Sequence, residues 1–143
     1  MHAPLAATAR LLIGSDVDLG RVRQQVRQAA ADLGFGLVQQ TKLVTAASEL
    51  ARNTLVHGGG GHVDMTRLED GAARGLRLSF VDAGPGIRDV ELAMTDGYTS
   101  GGGLGLGLSG AERLVQDFTL ESSPGQGTTV TITDWVAGFP SPR

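Results

Sequence analysis

Cysteine is absent from this chain of 143 residues, so no disulfide and no cysteine-based zinc centre supports it. That absence suits a reducing compartment. Aromatic residues are scarce, 4% against 41% hydrophobic, so the expected core is aliphatic, built from Leu, Val and Ala. Basic residues are not in excess: the net charge is −3 and the pI is near 5.5. This argues against general nucleic-acid binding, for which a basic stripe supplies the affinity. No apolar run approaches the roughly 20 residues of a membrane helix. Met1 to Arg10 has no basic cluster followed by an apolar core, so no signal peptide is expected. His2, His57 and His62 are scattered rather than spaced for a metal, and no transition-metal site is expected. Lysine occurs once, at Lys42, which excludes a GxxxxGK[ST] phosphate loop. The HRD and DFG elements of eukaryotic-type kinases are missing as well. The expectation is a cytoplasmic, membrane-free chain with one domain over 1–137 and a disordered tail at 138–143.

Glycine is plentiful, with 22 residues and two dense patches at 58–61 and 101–107. The second patch, Gly101-Gly102-Gly103-Leu104-Gly105-Leu106-Gly107-Leu108, runs into a pattern from Leu108 to Phe118 that reads as a helix. Glycine lets backbone approach a ligand closely, and a helix N-terminus offers unpaired N–H groups to phosphate. Taken alone, the run is equally a flexible lid or linker.

Hydrophobic periodicity orders the remaining chain. Leu11-Leu12-Ile13 fits a strand. Asp16 or Asp18 then caps a helix with Val22, Val26, Ala29 or Ala30, and Leu33 on one face, stopped by Gly34 and Gly36. Arg21, Arg23 and Arg27 fall off that stripe, as a solvated face or a docking surface for an acidic partner. A second helix is predicted from Leu37 to His57, with Leu43, Ala46 or Ala47, Leu50 and Thr54 in register and Gly58 as its C-cap. Strands are predicted at His62 to Leu68 and at Leu76 to Asp82, joined by Glu69-Asp70-Gly71, and a short helix at Arg88 to Met94. Two last strands are expected near Phe118–Glu121 and Thr128–Thr133. Together these predict an α/β sandwich, with helices on one face of a mixed, mainly antiparallel sheet.

Four short motifs can carry chemistry. Glu49 and Asn53 lie one turn apart on the second helix and share a face. A carboxylate and an amide oxygen so placed can serve a proton acceptor and a hard cation such as Mg²⁺, although exposed pairs of this kind are common. Asp82-x-Gly84-x-Gly86 closes a strand. Its Asp can accept from an exocyclic amine such as adenine N6, or simply bond its own turn. Gly127-Thr128 can place a hydroxyl near that Asp, or be only a tight turn. The glycine octet is the fourth.

ExxxN on a helix, DxGxG after a strand, GxGxG before a helix and GT before a strand occur in that order. Together they resemble the GHKL (Bergerat-fold) ATP-binding superfamily. The resemblance implies Glu49 as general base and Asn53 as Mg²⁺ ligand. It implies Asp82 as the reader of adenine, with Thr128 assisting through water, and Gly84 and Gly86 making room for the base. Gly103, Leu104, Gly105, Leu106 and Gly107 would wrap the ATP phosphates. The length disfavours gyrase-, Hsp90- and MutL-type chains with transducer domains, and no phosphoacceptor-His helix is evident. The chain is therefore most similar to the small bacterial anti-sigma-factor and switch serine kinases of the RsbT-like stressosome type. That similarity rests on Ser48–Asn53, Asp82–Ile87 and Asp96–Leu108, and extends from about Ala31 to Trp135.

By that resemblance the protein is a Mg·ATP-dependent serine/threonine kinase acting on a STAS-domain partner in a partner-switching pathway. An ATP-gated binding module, holding a sigma factor or a PP2C-type phosphatase with little catalysis, is the alternative. A severed histidine-kinase ATP-binding domain is a further one. Related kinases dimerise often enough to admit a homodimer. No Lys or Arg lies between Met94 and Leu108 to meet the γ-phosphate. Arg52 and Arg113 are candidates for that charge, or are structural.

Overall fold

The computed structural model describes residues 5–87, 89–94 and 107–137. The chain begins with strand β1 (Leu5–Ile13), helices α1 (Asp16–Leu33) and α2 (Leu37–Val56), and strands β2 (Gly61–Asp70) and β3 (Ala73–Asp82). The short helices α3 (Val90–Ala93) and α4 (Gly107–Arg113) precede strands β4 (Asp117–Ser122) and β5 (Thr128–Trp135).

α1 forms where its apolar stripe predicted. Val22, Val26, Ala29, Ala30 and Leu33 are buried, while Arg21, Arg23 and Arg27 are exposed. Ser15 occupies the N-cap position, and Asp18, in the first turn, accepts from the Gly14 N–H at 2.9 Å and from the Ser15 hydroxyl at 3.4 Å. Gly34 stops the helix in the left-handed conformation, φ 98°. α2 buries Leu43, Val44, Ala46, Ala47, Leu50, Ala51 and Thr54. Its end differs from the expectation: His57 is the C-cap, with ordinary right-handed dihedrals, and Gly58 lies beyond it.

The sheet has the order β1-β2-β3-β5-β4, and every pairing among the described strands is antiparallel. The parallel component allowed by the sequence reading is therefore not seen. The helical crossover does leave β3 and β4 pointing the same way, but β5 slots between them and pairs antiparallel with both. One sheet face carries Val63, Met65, Leu76, Leu78, Phe80, Val130 and Ile132 against α1 and α2, and α4 packs on α2. Each buried Leu or Val contributes about 1.5–3 kcal/mol. The other face is a polar carpet, in which Thr8 meets Thr66, Ser79 meets Thr131 and Arg10 makes a two-pronged pair with Asp64 at 2.7 and 3.0 Å. The Arg10 guanidinium holds the Asp64 carboxyl below its ordinary range.

α4 is shorter than the periodicity of Leu108 to Phe118 predicted. The chain leaves the helix because Gln116 is recruited to β5. Its backbone N–H donates to Asp134 Oδ1 at 2.7 Å, and its amide both accepts from the Trp135 N–H and donates to the Trp135 carbonyl. Gln39, in the first turn of α2, donates to the same carbonyl at 2.7 Å and accepts from the Ala137 N–H. Leu114 and Val115 keep their core contacts from the turn.

This clasp buries Asp134, which is 2% exposed. Burial pushes its carboxyl above the ordinary 3.8, and nearby Asp117 adds to the rise. The Gln116 N–H, the Gln39 amide and the Lys42 charge offset it in part. As pH rises past about 4, the unfolded Asp134 ionises before the folded one. Stability is therefore lost from the ordinary carboxylate value up to the raised folded value, and the loss is complete above it. Asp134→Asn keeps an acceptor for Gln116 but has no proton to lose. Thermal unfolding across that window should show the variant gaining on the parent as pH rises, then a constant difference.

Candidate ATP-binding site

The site lies where one row of the sheet ends beneath the last turns of α2. Gly61, Asp82, Thr128 and Ser122 are successive cross-strand partners on β2, β3, β5 and β4. By strand alternation they share the face of Phe80 and Val130, the face the helices cover. A carboxylate and two hydroxyls therefore stand at the mouth of an otherwise aliphatic layer. Glu49 and Asn53 are both half-buried on the second half of α2.

The Asp82 carboxylate uses Oδ1 to accept the Gly84 N–H at 2.9 Å. The Asx turn that is the simplest reading of DxGxG therefore does form, and it sets the orientation of the carboxylate. Gly86 follows with φ 76°, and a side chain there would run into the Ser123 carbonyl. Gly127, φ 77°, is pressed in the same way against the Asp82 carbonyl. These two close approaches lock the turn after β3 onto the turn between β4 and β5. The Gly125 N–H adds a bond to the Pro85 carbonyl at 2.8 Å.

Ser122, which the sequence reading did not single out, is the polar hub of this lock. Its Oγ accepts the Ile87 N–H at 2.8 Å, donates to the Gly127 carbonyl at 3.0 Å and lies 2.9 Å from Thr128 Oγ1. A serine hydroxyl has one proton. With that proton on Gly127, the Thr128 hydroxyl is the donor in the third contact, which leaves Thr128 Oγ1 its acceptor capacity. The only sequence signal for Ser122 was its place just ahead of the Ser123–Gly127 turn.

The glycine patch at 58–61 belongs to the site as well. A side chain at Gly61 would meet the Val81 carbonyl, and one at Gly58 would occupy the position of the Asp82 side chain. Sequence pattern alone assigns Gly58 a role only as a helix C-cap and gives the rest of the patch none. Gly107, the last glycine of the octet, opens α4 with φ 71°. Gly103, Leu104, Gly105 and Leu106 lie outside the described residues. Of the two candidate cations, Arg52 is exposed beside Asn53. Arg113 lines a groove of about 760 Å³ with Gln39, Lys42, Gln116 and Asp134. Lys42 precedes Asn53 by 11 residues, about 16 Å of helix, so Arg113 stands toward the opposite end of α2.

The model of the histidine kinase-, DNA gyrase B- and HSP90-like ATPase family matches residues 38–135, and the chain belongs to that family. Membership carries ATP use. Over 124 residues the chain is 40% identical to the serine/threonine-protein kinase RsbT of Bacillus subtilis, covering 87% of this chain and 93% of that one. It is 32% identical over 120 residues to the anti-sigma F factor of Bacillus velezensis, covering 78% and 80% respectively. The crystal structure of the RsbU and RsbW domains of Rv1364c from Mycobacterium tuberculosis superposes with a TM-score of 0.61 at 23% identity. That match covers 99% of this chain and 34% of the longer one, and it is a likeness of fold. No helix among the described residues is long and apolar enough to cross a membrane.

Ser122→Ala should leave the Ile87 N–H and the Gly127 carbonyl without their partner. The expected loss is about 1–3 kcal/mol, read as a lower urea midpoint at unchanged slope. Weaker nucleotide binding should accompany it.

Proposed function

We propose that the protein is a cytoplasmic Mg·ATP-dependent serine/threonine kinase whose substrate is a STAS-domain protein in a partner-switching pathway. The observation that carries the site reading is the contact of Gly58 with Asp82 and Gly84. It seats the end of α2 against the DxGxG turn, which supports reading the Glu49/Asn53 face of α2 and that turn as two walls of one cleft. Kinship with a serine/threonine kinase at 40% identity supports the reaction class.

In this reading Asp82 accepts a hydrogen bond from the exocyclic amine of adenine, and Thr128 Oγ1 accepts from a water beside it. Gly84 and Gly86 leave room for the base, and residues 103–107 surround the phosphates. The Asn53 amide oxygen is a hard donor suited to Mg²⁺, which keeps most of its shell as water and phosphate oxygen. When bound, the ion neutralises charge on the phosphates. Glu49 accepts the proton of the acceptor hydroxyl as its oxygen bonds to the γ-phosphorus. The bond from that phosphorus to the β–γ bridging oxygen breaks, and ADP leaves. A binding output, in which nucleotide occupancy holds or releases a sigma factor or a phosphatase, is supported by the anti-sigma F factor relatives.

Transfer of labelled γ-phosphate from Mg·ATP to a STAS protein encoded beside this one tests the reading. Acid-stable label is expected on a hydroxyl residue. Glu49→Ala should lower the rate by about 10²–10⁴-fold while leaving most of the nucleotide affinity. Full activity in that variant would remove Glu49 from the role of base.

A further inference from the structure

Gly58 is not a glycine for the usual reason. Its φ is not positive, and the left-handed turn out of α2 is made by Gly59 and Gly60, at φ 76° and 106°. His57 already caps the helix. What excludes a side chain at Gly58 is the Asp82 side chain, whose Cβ, Cγ and Oδ2 all lie where a Cβ would go. The constraint is mutual across the cleft, since a side chain on Gly84 would come within 2.8 Å of Gly58 Cα and its carbonyl oxygen. Two backbones touch there, with the carboxylate laid along one of them.

We propose that Gly58 is a positioning residue for nucleobase recognition, its bare Cα being the surface that sets the Asp82 carboxylate. The proposal rests on the reading of Asp82 as the acceptor for the adenine amine. The Gly58 N–H donates to the Asn53 carbonyl at 3.1 Å, and the His57 N–H donates to the same oxygen at 3.0 Å. The surface under Asp82 is thus tied by one backbone hydrogen bond to Asn53, the residue that in the proposed reading would hold Mg²⁺. Gly58 thereby fixes the spacing between the half-site for the base and the half-site for the phosphates. A methyl group at position 58 has no free volume to enter. The Asp82 Cγ and Oδ2 can swing away about χ1, but its Cβ, 2.5 Å from the added carbon, moves only with the backbone, so the carboxylate is displaced together with a small shift of the end of β3.

The ligand chemistry that reads this displacement is the 6-amino group of the purine. Titrations of the full chain would compare Mg·ATP with the purine riboside triphosphate that carries hydrogen at the 6-position. A hydrogen bond to a charged acceptor is expected to favour ATP by about 10- to 100-fold in the parent protein. Asp82→Asn should erase most of that preference. Gly58→Ala should bring the ratio to within about threefold of unity, while affinity for the 6-hydrogen analogue changes far less than affinity for ATP. In the Gly58→Ala/Asp82→Asn double variant the ratio should fall no further, as required of a residue acting only through the other. Gly20→Ala, where a Cβ meets only the end of the Arg23 side chain at 3.6 Å, is the control and should keep the parental ratio.

The outcomes separate the two ideas. No preference for ATP in the parent overturns the adenine-reading role of Asp82, and the proposal with it. A preference that Asp82→Asn loses but Gly58→Ala retains overturns the role of Gly58 alone. Equal loss of both nucleotides in Gly58→Ala, or loss of its cooperative thermal unfolding, also overturns it, because Gly58 would then support the fold rather than the base.

Discussion

The seating of α2 on the sheet is the constraint on which the remainder depends. Leu43, Ala46, Ala47 and Ala51 have no exposed surface, and Leu50 has almost none. Three of the five are alanines, so the helix axis can come close to α1 and to the sheet without gaps being filled by longer side chains. A helix held this firmly along one stripe has no rotational freedom. The angle at which Glu49 and Asn53 leave it is then decided by residues that touch no ligand.

Both ends of α2 are anchored, by different chemistry. At its first turn Gln39 grips the end of β5, Gln116 grips it from the other side, and Asp134 is buried in the process. That end is a polar clasp, in which amide groups satisfy backbone that the sheet cannot pair. At the other end Gly58 meets Gly84 backbone to backbone, with the Asp82 side chain lying alongside. A clasp of amides tolerates small adjustments of torsion, whereas two touching backbones do not.

The electrostatic design follows the same division. The helix-covered face of the sheet is aliphatic until its last row, where Asp82, Thr128 and Ser122 stand side by side. Each has its hydrogen-bond direction set by a neighbour: Asp82 by the Gly84 N–H, Thr128 by Ser122, and Ser122 by Ile87 and Gly127. Groups with assigned donors and acceptors need no reorganisation when a polar ligand arrives, which favours discrimination between ligands that differ by a single donor.

The sequence by itself determined the elements whose residues interact with near neighbours along the chain. The stripe of α1, the inward face of α2 and the alternation of Leu76, Leu78 and Phe80 are periodic signals, and each element formed with that face inward. The order of ExxxN, DxGxG, GxGxG and GT was legible in the same way, because each motif is a local turn or a single helix face, and it was sufficient to indicate the family. Tertiary structure decided what depends on distant partners. β1 extends back to Leu5 through three alanines and one threonine that signal little, because β2 offers them a full ladder to pair with. α4 stops at Arg113 because Gln116 has better partners on β5 than in another helical turn. Ser122 gains its role from Ile87, 35 residues away, and Gly58 gains its role from Asp82. A contact of that kind leaves no periodicity, only a small residue where a larger one has no room, and its meaning appears once the chain has brought the two together.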